Sequence, residues 1–208
     1  MATFLFWFQM VMAFAYSIPL ITNIINGKTE GLTLATYAIF LVYTGLSLSL
    51  AMASYRHSRS KIRLQTIIIF VNWIVLIGLI LTLGFFVIPW RRADSAFSVA
   101  ILVVAVLTAG KYKGLQDPIG RGWMAVWCKA LPQLWLAYTM MFISHGACGF
   151  ALTSLVAGHL TSMPRLWQVY LSGKKDGWDR PTRGLILGES ANVITWWVVT
   201  AVWVYLMC

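Results

Sequence analysis

Apolar residues along the chain form long runs, and short segments that hold most of the charged residues separate these runs. A helix needs about 20 apolar residues to cross a hydrocarbon core of ~30 Å, and the runs have about this length. The stretch 122–171 is too long for one crossing, so we divide it at the uncharged segment 144–149. The pattern predicts an all-α integral membrane protein with seven transmembrane helices, at residues 4–25, 32–54, 66–88, 95–112, 122–141, 149–171 and 184–207.

Composition agrees with a membrane protein, since 60% of the 208 residues are hydrophobic and 11% are charged. In a soluble protein, the net charge of +10 would suggest a nucleic-acid partner. Here the basic residues lie in short loops, where they act as orientation signals and as contacts to lipid phosphates. We therefore expect membrane lipids as partners and no nucleic acid. The first 25 residues lack the basic start and cleavage site of a signal peptide, so we expect a retained helix.

Lysine and arginine residues are distributed unequally between the two sides of the predicted helices. The loops on the side away from the amino terminus contain only Lys28, Arg91 and Arg92. Cytoplasmic loops carry an excess of basic residues, so this bias places the amino terminus in the cytoplasm. We expect the protein to lie in a bacterial cell (inner) membrane. The loops on the amino-terminal side contain the basic residues Arg56, Arg59, Lys61, Arg63, Lys111, Lys113, Arg121, Lys174, Lys175, Arg180 and Arg183.

A proline and an asparagine recur in both halves of the chain. Pro19 lies in the first predicted span and Asn72 in the third, while Pro132 lies in the fifth and Asn192 in the seventh. A proline bend and a buried amide that occur twice indicate two related half-bundles around one central polar site. Such an arrangement is typical of a small-solute transporter.

The third and seventh predicted spans align without a gap. Arg63 precedes its asparagine by nine residues, and Arg183 precedes its asparagine by nine residues. The repeat divides the chain into a first triple-helix unit at 1–90, a linker helix at 91–115 and a second triple-helix unit at 116–208. A single linker helix makes the two units parallel rather than inverted.

Pro132-Gln133 and the segment 27–34 after the first span carry short motifs of a known family. On these residues the chain resembles the PQ-loop superfamily, which includes SWEET-like (MtN3/saliva) sugar transporters, cystine-exporting lysosomal proteins and the KDEL receptor. The resemblance implies two parallel three-helix bundles joined by a linker helix. The first half departs from the motif, because Pro19-Leu20 replaces Pro-Gln. The orientation is also opposite to that usual for SWEET proteins, so either the chain is an inverted member, as nicotinamide riboside transporters are, or the loop charges mislead.

The resemblance places Asn72 and Asn192 on opposite sides of a solute pocket, as their counterparts are in SWEET proteins. Trp73 and either Trp196 or Trp197 are candidates for stacking on a flat ligand. The alternative for the amides is hydrogen bonding between helices, which is common in membrane bundles. The alternative for the tryptophans is packing, since aromatic residues routinely fill membrane cores.

Pro19, Pro132 and Gln133 are candidate hinge residues. A proline inside a helix removes a backbone hydrogen bond, so each three-helix unit can rock about its proline. The alternative is a pair of static kinks whose freed carbonyls are satisfied by neighbouring groups.

Three charged residues lie inside predicted spans, on three different helices: Lys129, Arg165 and Glu189. At 1.5 Å per residue, all three lie about 8–10 Å below the amino-terminal-side interface. Charges inside a membrane are costly unless they are paired or hydrated. We infer that Glu189 pairs with Lys129 or Arg165 and forms a gate at the cytoplasmic end, with proton coupling as a further role for Glu189. The alternative is that the two cations reach lipid phosphates and Glu189 is partly solvated.

No catalytic set occurs in the sequence, so we expect neither an enzyme nor a cofactor. Cys128, Cys148 and Cys208 lack the spacing of a metal site or a disulfide framework. His159 is alone on an apolar helix, which is more typical of a hydrogen-bonded core residue than of a ligand.

These patterns predict a transporter that moves a small polar solute (a sugar, an amino acid or a vitamin-like ring) by alternating access. The alternative is a non-transporting subunit or lipid-binding scaffold of a larger membrane complex. An intramembrane enzyme acting on lipid is a third, weaker hypothesis. The sequence leaves open whether the protein forms a homo-oligomer or belongs to a larger membrane complex.

Overall fold

The computed structural model describes residues 2–207, apart from the side chain of Ala2, and this part of the chain is helical without strands. Cys208 lies outside the described residues. Five helices, α1, α2, α3, α4 and α7, are long and apolar enough to cross a membrane. The helices are α1 Ala2–Ile25, α2 Leu34–His57, α3 Lys61–Gly84, α4 Arg92–Gly110, α5 Pro118–Tyr138, α6 Leu152–Asp176 and α7 Arg180–Met207, with a 3₁₀ turn at Gly114–Gln116.

Capping residues start three of the helices a few residues earlier than the apolar runs do. Ser60 accepts a hydrogen bond from the backbone N–H of Arg63, and Asp117 accepts one from Ile119. Asp179 caps α7 in the same way. An apolar run marks the part of a helix that meets lipid, whereas a cap marks where the backbone becomes helical. The predicted spans for α3, α5 and α7 therefore begin a few residues after the helices themselves begin.

The chain leaves the helical conformation after α5, as the division of the stretch 122–171 predicts. A π-helical turn at Thr139–Ile143 ends the fifth helix, and α6 begins at Leu152. Within the connection, His145 has a positive φ of 50°. The break is confirmed although the segment carries no charge.

Six of the described helices pack in a ring in the order α1, α3, α2, α5, α7 and α6, and the names first and second bundle follow the predicted repeat. In the first bundle (α1–α3), α3 contacts both α1 and α2. In the second bundle (α5–α7), α7 contacts both α5 and α6. Between the bundles, α1 packs on α6, and α5 packs on α2. In the predicted repeat, α1 corresponds to α5 and α2 corresponds to α6, so these two contacts are equivalent. Helix α4 packs on α5 and α2.

Loop contacts show which helix ends lie together. At one end, called the basic end here, Arg63 at the start of α3 contacts Asp179 at the start of α7. At the opposite end, Asn23 of α1 donates to the carbonyl of Gly149, which follows α5. The amide of Gly149 in turn donates to the carbonyl of Glu30. Helices α1 and α5 therefore run in the same direction.

Close packing inside the second bundle depends on two glycines. A Cβ atom on Gly122 of α5 would lie 2.7 Å from the Cα of Gly184 on α7. Small residues allow helix backbones to approach in this way when lipid supplies no hydrophobic driving force. The contact holds the starts of α5 and α7 together at the basic end.

Candidate functional site

A cavity lies between the two bundles, near the middle of the helices. Water centres could occupy about 30 Å³ of this cavity, which is room for roughly two or three water molecules in this conformation. Both bundles contribute to its wall. The lining residues are Tyr16, Tyr37, Phe40, Tyr43, Thr44, Trp73 and Ile77 from the first bundle, and Lys129, Gly158, Thr161, Arg165, Asn192 and Trp196 from the second.

Three aromatic rings form one wall of the cavity. The ring of Tyr16 lies 5.5 Å from that of Trp73 and 6.0 Å from that of Trp196, and both pairs meet edge to face. Gly158 makes room for Trp196, because a Cβ atom there would lie 2.8 Å from the indole. Of the two tryptophans that the sequence allows on α7, Trp196 faces the cavity, whereas Trp197 is 57% exposed on the outer surface.

The structure brings Asn192, but not Asn72, to the cavity. Asn192 is 1% exposed, and its Nδ2 donates to Oε2 of Glu189 at 3.2 Å. Its Oδ1 has no hydrogen-bond partner among the described residues. Asn72 is half-buried outside the cavity lining. The two asparagines therefore do not face each other across the cavity in this conformation.

Glu189 is the centre of a buried polar cluster beside the cavity. Its Oε2 accepts a hydrogen bond from Nε of Arg165 at 2.7 Å, which forms a buried ion pair. Its Oε1 accepts a hydrogen bond from Oη of Tyr43 at 2.5 Å. Of the two partners that the sequence allows for Glu189, the structure therefore selects Arg165. Lys129 instead lies with its Nζ 3.6 Å from the centroid of the Phe40 ring.

The three embedded charges lie far from the ends of their helices, because α5, α6 and α7 extend beyond the predicted spans at the basic end. Lys129 follows the start of α5 at Pro118 by about 11 residues, which is roughly 16 Å. Glu189 follows the start of α7 at Arg180 by about nine residues, or roughly 14 Å. Arg165 lies at a similar distance from the end of α6. The cluster is therefore part of the centre of the molecule rather than of its end.

The ion pair between Arg165 and Glu189 joins α6 to α7, so it lies within the second bundle. The hydrogen bond from Tyr43 of α2 connects this cluster to the first bundle. The guanidinium of Arg165 also lies 5.4 Å from the centroid of the Phe70 ring on α3. The Tyr43 contact therefore lies between the bundles, whereas the ion pair lies within one of them. Sequence reasoning did not identify Tyr43, and its spacing within α2 gave no signal of this role.

Arg63 closes the basic end between the bundles. Its side chain is 2% exposed, and its Nη1 lies 2.5 Å from Oδ2 of Asp179. Its Nε lies 3.6 Å from Oδ2 of Asp176. A second contact between the bundles joins Ser54 Oγ and Thr182 Oγ1 at 2.9 Å. Arg63 lies outside the predicted third span, and the signal that could have revealed its partners was the pair of aspartates at the end of α6 and just before α7.

The ion pair with Arg63 also changes the acidity of Asp179, which lies just before α7. Partial burial raises the pKa of this carboxyl group. Hydrogen bonds from Thr182 and the guanidinium of Arg63 outweigh burial, so the pKa of Asp179 lies below its usual value. Asp179 is therefore ionised at neutral pH and holds Arg63 in place.

Apolar clusters lie on both sides of the cavity along the helices. Leu50, Phe70 and Leu185 belong to a buried cluster between the cavity and the basic end. A larger cluster lies toward the opposite end and includes Leu20, Ile24, Ile80, Leu136, Met140 and Val199. A path from the cavity to either end of the helices therefore passes through packed apolar side chains.

The candidate hinge residues lie inside helices, as the sequence predicts. Pro19 is within α1, and Pro132 is within α5. The carbonyl of Pro132 accepts a hydrogen bond at 3.3 Å from Oγ1 of Thr36, which lies on α2 of the first bundle. Gln133 is fully buried and accepts a hydrogen bond from Thr195 within the second bundle. Gln133 thus connects α5 to α7 rather than the two bundles.

Other polar residues have structural contacts. His159 shares a hydrogen bond of 2.6 Å with Thr200, so the interpretation as a hydrogen-bonded residue is confirmed. Among residues 2–207, no group of histidine, cysteine or acidic side chains is arranged to hold a metal ion. Cys128 and Cys148 are free thiols.

Comparisons with protein-family models, curated proteins and solved structures gave no match. Membership of the PQ-loop superfamily stays a prediction that rests on the motifs at Pro132-Gln133 and 27–34 and on the internal repeat.

Proposed function

We propose that the protein is a membrane transporter that moves a small polar solute by alternating access between the two bundles. One observation carries this proposal: a cavity lies between the two bundles, takes its wall from both, and includes the polar side chains of Lys129, Arg165 and Asn192 in that wall. A solute bound there contacts both bundles, so its binding can be coupled to their relative movement. The PQ-loop resemblance adds support from the sequence.

We further propose that all seven helices cross the membrane as two parallel bundles joined by α4. The contacts between the described helices support this arrangement, because α3 and α7 occupy equivalent positions in the two bundles. Helices α5 and α6 are less apolar than the other five, which fits helices whose polar residues face a central cavity. The excess of basic residues at the basic end supports a cytoplasmic location for that end and for the amino terminus, in a bacterial inner membrane.

In the proposed cycle, the bundles rock about Pro19 and Pro132 and open one end at a time. Opening the basic end separates Arg63 from Asp179 and Tyr43 from Glu189. Opening the other end separates the apolar cluster around Leu20 and the loop contacts of Asn23. The solute binding energy has to be similar in the two open states, because a strong preference for one would prevent release.

A thermal-shift screen of purified protein in detergent, with sugars, amino acids and vitamin-like compounds, tests the proposal. A ligand at 100 times its Kd stabilises a protein by roughly 2.7 kcal/mol. We expect a hit with the wild-type protein that is lost in Asn192→Ala, since Asn192 lines the cavity. Asn72→Ala is the matched control, because Asn72 lies outside the cavity lining and its variant should keep the hit.

Uptake of the same compound into proteoliposomes then separates transport from binding alone. Uptake that depends on Asn192 supports the transporter. A compound that binds in the cavity without crossing the membrane argues instead for the non-transporting scaffold. A screen without hits, with both variants folded, also favours the scaffold.

A further inference from the structure

Lys129 is a buried cation in the wall of the cavity. Its side chain is 7% exposed, and within residues 2–207 no aspartate or glutamate forms an ion pair with it. Its Nζ lies 3.6 Å from the ring centroid of Phe40 and 5.2 Å from that of Tyr43. Contacts with aromatic faces stabilise a cation, but they do not neutralise its charge.

The carboxylate of Glu189 cannot pair with Lys129 without losing hydrogen bonds to other residues. Glu189 already binds Arg165, Tyr43 and Asn192. With both basic side chains protonated, Lys129, Arg165 and the single carboxylate of Glu189 leave one net positive charge at the cavity. A charge at this depth is costly unless it is paired or hydrated, and the cavity admits only a few waters. An anionic group in the cavity would offset that cost.

Asn192 supplies a second unpaired polar atom. Its Oδ1 is buried and receives no hydrogen bond from residues 2–207, although its Nδ2 is bound to Glu189. A buried acceptor without a partner is unfavourable, so a ligand N–H or O–H would be stabilised there. The side chains of Tyr16, Trp73 and Trp196 line the cavity and provide an aromatic surface for a planar part of the same ligand.

We propose that the solute of this cavity is a small organic anion, whose carboxylate or phosphate group pairs with Lys129. Asn192 Oδ1 accepts a hydrogen bond from the solute, and the aromatic wall contacts its planar or apolar part. This assignment rests on the proposed function, and it narrows the solute from sugars, amino acids and vitamin-like rings to the anionic members of those classes. Lys129 is a residue that binds the solute and makes the empty protein less stable.

The ligand-free protein gives the first test. Lys129→Met removes the unpaired charge and keeps the length of the side chain, so the melting temperature should rise by a few degrees. Arg165→Met is the matched control, because it removes a paired charge from the same cluster and should lower the melting temperature. A Lys129→Met protein that is destabilised or fails to fold would show that Lys129 serves the fold and would overturn the assignment.

The second test uses compounds that differ in one charged group: nicotinate with nicotinamide, phenylacetate with phenylacetamide, and glucose 6-phosphate with glucose. In thermal-shift titrations we expect the anionic member of at least one pair to bind the wild-type protein at least tenfold more tightly. Lys129→Met should lose this preference, and Lys129→Arg should retain it. The pairs that respond distinguish a carboxylate solute from a phosphate solute.

The remaining outcomes separate this inference from the proposed function. Equal binding of neutral and anionic members, an anionic preference that persists in Lys129→Met, or no binding of any anionic member would overturn the inference. Uptake of a neutral member into proteoliposomes would also overturn the inference, but it would support the proposal that the protein is a transporter. Binding of an anion through Lys129 without uptake would support the inference and contradict the transporter.

Discussion

Nη1 of Arg63 lies 2.5 Å from Oδ2 of Asp179, and this contact joins the first bundle to the second at the basic end. The guanidinium also donates to the carbonyl of Ser54. Arg183, at the equivalent position of the second bundle, donates only to the exposed carbonyl of Trp178 among the described residues. Two arginines that align in the sequence repeat therefore have different roles, and of these two only Arg63 contacts the other bundle through a buried ion pair.

Arg63→Ala should open the basic end. The change leaves Asp179 and Asp176 without their buried cation, and loss of one partner of a buried ion pair costs about 3–5 kcal/mol. A single cysteine at Thr66, which lines a small cavity beside Arg63, reports the opening. In a background without native cysteines, we expect a polar thiol reagent to label Thr66→Cys at least tenfold faster when Arg63 is replaced.

Arg183→Ala is the control for this experiment, because Arg183 occupies the matching position without a buried partner. Its labelling rate and melting temperature should stay close to those of the background protein. Equal effects of the two substitutions would show that Arg63 does not seal the basic end.

Acid should weaken the same contact. The pKa of Asp179 is below its usual value, so its contribution to stability is complete above the unfolded pKa of about 3.9 and is lost as pH falls through the folded pKa. We expect the wild-type melting temperature to fall below about pH 4 and to fall less in Asp179→Asn. Asp179→Asn should also be less stable than the wild type at pH 7. An identical pH dependence for the two proteins would contradict a role for the Asp179 charge.

Asp117 also contributes to the pH dependence of the wild-type melting temperature. Hydrogen bonds from Ile119 and from Arg180 lower the pKa of its carboxyl group. Asp117→Asn separates the two contributions. The partner of Asp117, Arg180, is 65% exposed, so this variant should change stability little at pH 7.

Hydropathy was sufficient to predict the helices and the break between α5 and α6, because membrane thickness fixes the length of an apolar run. The embedded charge of Glu189 was also sufficient to predict a buried partner, since an isolated carboxylate in an apolar interior is very unfavourable. The choice of Arg165 over Lys129 depends on how α5, α6 and α7 pack, and one sequence does not specify that packing.

Positions at the helix ends were harder to predict. Arg63 lies beyond the apolar run of α3, so hydropathy placed it in a loop, although the cap at Ser60 extends the helix past it. The pairing of Asn72 with Asn192 relied on a repeat in the sequence. Because Asn72 and Asn192 follow Arg63 and Arg183 by the same number of residues, they lie at equal distances from these arginines along their helices. The rotation of each helix about its axis decides which side chain faces the cavity.

Tyr43→Phe should loosen the centre of the molecule while keeping its shape. The substitution removes the hydrogen bond to Glu189, and bonds to charged groups contribute about 1.5–3 kcal/mol. Glu189 keeps Arg165 and Asn192, so the second bundle should stay intact. We expect a lower melting temperature and faster labelling of Thr66→Cys. Tyr138→Phe, which removes a hydroxyl from a 47% exposed side chain, should do neither.

Glu189→Gln should destabilise the protein by about 3–5 kcal/mol, because it leaves Arg165 buried without a counterion. Replacing both residues, as Arg165→Met with Glu189→Gln, should cost less than the sum of the two single changes. If Glu189 couples protons to transport, uptake by Glu189→Gln should also lose its dependence on pH. Normal uptake by this variant at every pH would exclude proton coupling, and additive effects on stability would contradict the ion pair.

Gly158→Ala should disturb the aromatic wall. The added Cβ would lie 2.8 Å from the indole of Trp196, so the ring has to move, and overpacking of this kind costs about 1–3 kcal/mol. We expect lower stability and weaker solute binding. Gly78→Ala is the control, since a Cβ there meets no atom within 4 Å and alanine favours the helix. Trp196→Phe in the Gly158→Ala protein removes the clashing ring atoms and should restore much of the stability. If the double variant is no more stable than Gly158→Ala alone, the glycine does not act through Trp196.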